Sequence, residues 1–251
     1  QAFLDLHEVD KDKRWLDFAL QIGEFIEKEL ILFESEDEMV FGYIPGETAR
    51  VHNVNFMGSK LFARLYSLTG DERYKQYAIK AAHYSVKSQR EDGAWAYGEN
   101  SYHQWVDNFH TGFNLVAIHD IHRYLPDEQW KRSMDSGLAY HLSHHFLEDM
   151  TPKCYDSKLY PVDIHNFAQG IDTLLTFGRP DRARVLIEKC IDMMWDDKKN
   201  YFYYQKTRWY TNKINYMRWS QAWMFYALTR YQSEVGHRES PGSGEVGADS
   251  G

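Results

Sequence analysis

The sequence predicts an all-α fold of about four antiparallel helical hairpins, and three observations carry that expectation. The dipeptide Asn-Phe recurs as Asn55-Phe56, Asn108-Phe109 and Asn166-Phe167, and the related pair Arg218-Trp219 occupies a fourth such place. Each opens an apolar stretch of helical spacing. The first three stretches break at Thr69-Gly70-Asp71, Leu125-Pro126-Asp127 and Arg179-Pro180-Asp181, and Pro and Asp belong to the first turn and N-cap of a following helix. Strand-like alternation is nearly absent outside the loops. The unit is helix, short turn, helix and long aromatic loop, repeating every ~50 residues, a period typical of repeat architectures.

The elements follow in order. Trp15, Phe18, Ala19, Ile22, Phe25 and Ile26 keep the three-and-four spacing of one helical face. A loop at 34–50 follows, with a small hairpin expected at Met39–Tyr43, and then the first Asn-Phe helix. Its partner spans 72–89, with Tyr74, Tyr77, Ala78, Ala81 and Tyr84 on one face. Residues 128–146 and 181–195 are the weaker second helices of the next two repeats. The remaining loops are 90–106, 148–162 and 196–214, the last with a possible hairpin at Tyr201–Tyr204. One helical domain over 1–233 is expected. The Gly-, Ser- and Glu-rich stretch 234–251 reads as a disordered tail.

Composition narrows the functional classes. The 251 residues are 43% hydrophobic and 26% charged, as in globular proteins, and the net charge of −8 lacks the basic field that nucleic acid requires. Two cysteines, Cys154 and Cys190, cannot build a disulfide framework or a four-cysteine zinc site. No apolar run is long enough for a membrane span, and no basic-then-apolar leader is present. A reduced, cytoplasmic setting is expected, with no nucleic-acid partner. The unusual figure is 16% aromatic residues, many of them in the loops: Tyr43, Trp95, Tyr97, Tyr102, Trp105, Tyr160, Trp209 and Tyr210. Such rings suit the apolar faces of sugars, or an isoprenoid carbocation by cation–π attraction, and half of them could instead pack the loops down.

The stretch Lys80-Ala81-Ala82-His83-Tyr84-Ser85-Val86-Lys87-Ser88-Gln89-Arg90-Glu91-Asp92-Gly93-Ala94-Trp95 resembles the QW repeat of terpenoid cyclases, whose α/α-toroid architecture protein prenyltransferases share. Ser85 departs from that pattern, where an aliphatic residue is usual. In that family the repeat is structural: the Gln ties neighbouring elements, the Gly allows a tight turn and the Trp packs over it. Met217-Arg218-Trp219-Ser220-Gln221-Ala222-Trp223 is similar to the Arg-Gly-Gln-Ala-Trp stretch of unsaturated glucuronyl hydrolases, with Trp219-Ser220 replacing one Gly. Together with Asp92-Gly93-Ala94-Trp95 and Val106-Asp107-Asn108-Phe109-His110-Thr111-Gly112, the pattern over residues 12–231 resembles bacterial toroid proteins of polysaccharide biosynthesis. The resemblance implies an α/α toroid of the six-hairpin-glycosidase type. A closed toroid is longer than this chain, and the start at Gln1 suggests that N-terminal hairpins are lacking.

In stacked hairpins the first helices run parallel, so their N-termini gather at one end. Positive dipole ends and unpaired amides collect there and suit an anionic group. The repeat places His52, Asn53 and Asn55 there, then Asp107, Asn108 and His110, then Asp163, His165, Asn166 and Gln169, and last Asn215, Tyr216, Arg218 and Gln221. Different polar groups at equivalent positions, converging on one hollow, are the strongest functional signal. Simple capping would equally explain Asp107 and Asp163, and loop satisfaction the asparagines. His110 and His165 are harder to explain as caps. Arg218 opposes a helix dipole, which calls for a buried carboxylate or an anionic substrate group.

The expected function is action on an acidic, uronate-containing sugar or polysaccharide by acid–base hydrolysis, elimination or epimerisation. Asp107 or Asp163 with His110 would supply general acid and base. Arg218, His52 and Asn55 would hold the anionic group, Trp95 and Trp105 would form the stacking platform, and Glu99 is the loop carboxylate nearest the cavity. Asn108, His165, Gln169, Tyr216 and Gln221 would complete the binding surface. Two alternatives stand beside this: an isoprenoid-directed toroid enzyme, and a non-catalytic glycan-binding or scaffold module. No cofactor motif is present. His141 and His145 have metal-ligand spacing but no acidic ligand in register, so no metal is expected. Asp196-Asp197, followed by Lys198-Lys199-Asn200, reads as a solvated turn.

Overall fold

The computed structural model describes residues 1–239, among which lie nine α-helices joined by short strands and loops. The chain forms two compact units, one of Gln1–Asp149 and Lys153–Leu159, the other of Met150–Pro152 and the chain from Tyr160 onward. Each is built from helical hairpins.

In the first unit, α1 (Ala2–Asp10) pairs with α2 (Lys13–Glu29), and β1 (Ile31–Glu34) runs antiparallel to β2 (Met39–Phe41). Two further hairpins follow, α3 (His52–Thr69) with α4 (Glu72–Lys87) and α5 (Asn108–Tyr124) with α6 (Glu128–His144), and α3 packs against both α4 and α5. The turns form for the expected reasons. Gly70 takes φ 69°, a left-handed conformation costly for any other residue, and its N–H closes α3 on the Tyr66 carbonyl. The carboxylates of Asp71 and Asp127 then accept the Arg73 and Gln129 amides at 2.9 and 2.6 Å, satisfying donors that no helical carbonyl reaches. The core centres on Phe62, stacked on Phe41 and Tyr74 with Tyr77 edge-on, and joined by Leu61, Leu65, Ala78 and Ala81.

The QW-like stretch is structural here too. The Gln89 amide donates to the Gly93 and Ser133 carbonyls at 2.9 and 3.0 Å and accepts the Ser133 hydroxyl at 2.7 Å, linking the α4–α5 loop to α6. Gly93 sits at φ +94°, where a Cβ would lie 2.4 Å from the Ser136 carbonyl oxygen.

In the second unit, α7 (Ile164–Thr176) packs against both α8 (Pro180–Met194) and α9 (Trp223–Glu239). Every residue from Ile164 to Leu175 is buried, including the polar stripe His165, Asn166, Gln169, Asp172 and Thr173 that recurs at helical spacing along one side. The loop region forms β4 (Trp195–Asp196) paired with β5 (Tyr201–Phe202), and a three-stranded sheet in the order β3 (Val162–Asp163), β6 (Gln205–Lys206), β7 (Thr211–Asn212). Asp196 accepts the Lys198 and Lys199 amides, the solvated turn expected there. A π-helical turn, Met217–Ala222, leads into α9.

Three expectations change. Helix α1, unforeseen, buries Leu4 in the core. On α2 only the Ala19 and Gly23 side is buried, packed mainly on α1, α3 and β1, while Phe18, Ile22 and Phe25 stay exposed. Helix α9 runs on through Glu239, since residues added to a packed helix each gain a hydrogen bond without a new nucleation cost. The expected tail therefore begins helical; its residues 240–251 lie outside the described residues.

Candidate functional site

The site in the first unit is built at the start of α5. Asp107 is its N-cap, only 4% exposed, and its Oδ1 accepts the backbone N–H of His110 at 2.9 Å. Its Oδ2 accepts two more hydrogen bonds, from the His110 ring at Nδ1 (2.7 Å) and from the Trp105 indole N–H (3.1 Å). One carboxylate thus both caps α5 and holds the His110 ring. A carboxylate only accepts, so the Nδ1 of His110 carries a proton and Nε2 holds the lone pair of the neutral ring. The His110 side chain is 20% exposed, and its Nε2 makes no hydrogen bond among the described residues.

Aromatic rings frame this dyad. Tyr97 stacks on Trp105 with centroids 4.8 Å apart at 12°, and its ring also lies 4.6 Å from His110. Trp105 remains 39% exposed and borders an open cleft of about 370 Å³. Asn108 is not a ligand group: its amide donates to the His145 and Lys153 carbonyls at 3.0 and 3.1 Å, pinning the α6–β3 loop beneath the dyad.

Several other expected roles are corrected by their surroundings. Asn55 is buried, accepting the Phe41 amide at 3.0 Å and donating to Ala81 and Met39 carbonyls and to the Ser85 hydroxyl, so nothing remains for a substrate. His52 contacts the same hydroxyl at 3.3 Å. Burial pushes its pKa down to about 4, against an opposing pull from Glu99, so it offers no positive charge to an anion at neutral pH. Trp95 belongs to the core, edge-on to Phe56, its indole N–H donating to the Ser85 carbonyl at 2.8 Å. Glu99 is on the surface, accepting from the Tyr84 hydroxyl and lying 3.8 Å from Arg50.

The second unit holds a separate set at the start of α7. Asp163 caps the helix, Oδ1 accepting the His165 amide at 2.8 Å and Oδ2 the side-chain amide of Gln205 at 2.5 Å. Burial raises its pKa, although both hydrogen bonds pull the other way. His165 is buried among rings, 5.1 Å from Trp223 and 6.1 Å from Trp219. Gln169 is wholly buried, its amide N–H donating to Thr173 at 3.4 Å while its side-chain oxygen has no partner among the described residues. Gln221 clamps the Phe202 backbone in both directions, at 3.0 and 2.8 Å, which fixes β5 and consumes its amide. Arg218 and Tyr216 are exposed. Arg218 lies in the π-turn with its guanidinium 5.1 Å from the Trp219 ring centre, and it has no carboxylate partner among the described residues.

The structure therefore brings Trp105, Asp107 and His110 together and gives Asn55, Trp95, Asn108 and Gln221 to the scaffold. Sequence reasoning missed Gln205, which reaches Asp163 only through the β3–β6 pairing and leaves no local signal. It noticed Ser85 as a departure without seeing its use. Among the described residues, no group of three or more His, Cys, Asp or Glu side chains could hold a metal ion; His141 and His145 face each other instead, with Nδ1 atoms 3.1 Å apart. No described helix is long and apolar enough to cross a membrane.

No protein-family model matches the chain, and no curated protein matches it in sequence. Solved structures do share its fold. A sugar epimerase from a ruminal bacterium aligns with a TM-score of 0.74 at 11% identity, over 93% of this chain and 68% of its own. A family 76 glycoside hydrolase, an α-mannanase from Bacteroides thetaiotaomicron, aligns with a TM-score of 0.70 at 8% identity, over 94% and 66%. An unsaturated glucuronyl hydrolase from Streptococcus agalactiae gives 0.63 at 13% identity, over 90% and 64%. The chain spans about two thirds of the length of these structures. The fold is all-α, of the α/α-toroid, glycosidase-like type that the sequence resembles.

Proposed function

We propose that this chain is carbohydrate-active and transfers a proton at a carbon of an acidic sugar, with His110 as the acid–base group and Asp107 as the residue that orients it. The observation that carries the reading is the single oxygen, Asp107 Oδ2, shared by the His110 ring and the Trp105 indole. It fixes the imidazole with Nε2 free, next to a half-open aromatic surface that suits a sugar ring. Asp107 already accepts three hydrogen bonds, so proton traffic falls on His110. Its Nε2 would take the proton from the carbon beside a sugar carboxylate. A proton delivered from water to the opposite face, with His110 releasing its own to solvent, would give the epimer, whereas loss of the substituent on the next carbon, protonated by His110 as it leaves, would give the unsaturated product. This favours epimerisation or elimination over hydrolysis by two carboxylates. The fold shared with a sugar epimerase and with glucuronyl hydrolases supports the substrate class.

The test is a panel of uronate oligosaccharides incubated in deuterium oxide, with exchange at the carbon beside the carboxylate followed by NMR. His110→Ala and Asp107→Asn should each lower exchange and turnover on the order of 100-fold or more while far-UV circular dichroism stays unchanged. Undiminished turnover in both variants would overturn the assignment and leave a binding module.

A further inference from the structure

We infer that the cleft beside Trp105 is an anion-recognising sugar subsite in which Arg90 and Lys158 take the negative charge of an acidic saccharide. The inference rests on the carbohydrate reading of the dyad and names where the substrate's charged group sits. His52 and Asn55, the groups expected to hold that charge, are consumed by the scaffold, so the first unit needs other residues for the task.

The cleft, of about 370 Å³, falls in the size range of small-ligand sites. Trp105 and Tyr155 give it aromatic surface, Ser157 and Gln104 give it polar groups, and Arg90 and Lys158 give it two cations. Neither cation has an ion-pair partner among the described residues, and both side chains are exposed. Asp156 is the one carboxylate on the wall, and it is already engaged, accepting the Tyr140 hydroxyl at 2.9 Å. The lining therefore sets two cations against one carboxylate, within a chain of net charge −8.

The walls are also tied in place. The turn bearing Ser157 and Lys158 is closed by two backbone hydrogen bonds between Tyr155 and Lys158, at 3.2 and 3.3 Å. It is anchored to the segment that leads into α5, with the Asp156 amide on the Val106 carbonyl at 3.1 Å and the Asn108 amide on the Cys154 carbonyl at 3.0 Å. Arg90 starts a turn closed by the Gly93 amide on its carbonyl and by its own amide on the Ala94 carbonyl, both at 2.9 Å. A site held this way loses little ordering entropy on binding. Trp105 connects cleft to chemistry, since it lines the cleft and donates to the oxygen that orients His110. A sugar stacked on it, carboxylate toward Arg90 and Lys158, would be held one hydrogen bond away from the dyad, through the Trp105 indole on Asp107. The cations would also stabilise the charge that builds on the carboxylate once that carbon loses its proton.

Calorimetric titration tests this, with trigalacturonate and trimannuronate as probes and their carboxyl-reduced forms as neutral controls. The wild-type chain should bind at least one acid probe about tenfold or more tighter than its reduced form, with the difference shrinking as salt rises. The double variant Arg90→Gln, Lys158→Gln, changing two exposed side chains, should erase that preference and leave binding of the neutral form within about twofold. Trp105→Ala should weaken acid and neutral probes alike. Equal binding of acid and reduced probes, no binding of any probe, or a preference surviving in the double variant would each overturn the subsite. The dyad is judged separately. His110→Ala should keep the charge preference while losing turnover, so a failed cleft and a failed dyad leave different records.

Discussion

Ser85 occupies the place where terpenoid-cyclase repeats carry an aliphatic residue, and its hydroxyl is what the buried start of α3 uses. It accepts from Asn55 at 2.9 Å and meets the His52 ring at 3.3 Å, while its carbonyl takes the Trp95 indole. Three residues that looked like ligand groups in the sequence are thus bound to one serine. Ser85→Ala is expected to leave the buried His52 ring nitrogen without its partner, while Asn55 keeps the Ala81 and Met39 carbonyls, and to lower stability by about 1–3 kcal/mol in urea unfolding. At this scale residue type was legible and direction was not. Asn55 and Asn108 stand in equivalent places and both tie backbone, whereas Asp107, one residue before Asn108, holds His110. Which atoms a side chain meets depends on segments, helix α4 for Asn55 and the loop after α6 for Asn108, that lie 26 to 45 residues away.

The π-helical turn Met217–Ala222 shows how an element absorbs a change of length. The stretch Arg218-Trp219-Ser220-Gln221-Ala222-Trp223 is one residue longer than the glucuronyl hydrolase stretch it resembles. A π-turn holds one more residue than an α-turn, so α9 keeps its packing on α7 in spite of the extra residue. Gln221 marks the join, with both ends of its amide on Phe202. Gln221→Ala should release the β4–β5 hairpin, seen as faster amide exchange confined to residues 195–202 and a loss of about 1–2 kcal/mol. Exchange rates there equal to wild type would refute the clamp. Helix boundaries were legible because caps and turns are local: Asp71, Asp127 and Pro180 each start the helix expected of them. Helix α1 was not, since its burial rests on Leu4 reaching a core assembled mainly from later residues.

For the molecule as a whole, buried histidines govern the response to acid. Burial lowers the pKa of His52 to about 4 and that of His145 to about 4, with Asp107 pulling the latter up, and drives His141 well below its usual value. In the unfolded chain these rings titrate near 6.5, so between about pH 6.5 and pH 4 the unfolded state binds more protons. Stability must therefore fall as pH drops through that window, by up to roughly 3 kcal/mol for each of the two rings near 4, and level off below it for those two. Asp163, whose pKa is raised by burial, acts in the opposite sense, favouring the folded state as it takes up a proton. Urea midpoints measured from pH 7.5 to 4 check this: a midpoint flat across the window would mean that these rings are hydrated. His145→Asn should flatten part of the slope.

By itself the sequence determined the all-α class, the hairpin spacing and the cap residues, and it offered His110 with Asp107 or Asp163 as its partner. All of these are set by periodicity and by contacts within a few residues along the chain. Only the tertiary structure decided that Trp105 joins Asp107 and His110, that His52, Asn55 and Trp95 belong to the scaffold, and that Arg90 and Lys158 meet across one cleft. The physical reason is that burial and hydrogen-bond partnership are properties of the packed chain: a polar side chain serves a ligand only where the fold leaves its donors and acceptors unmet.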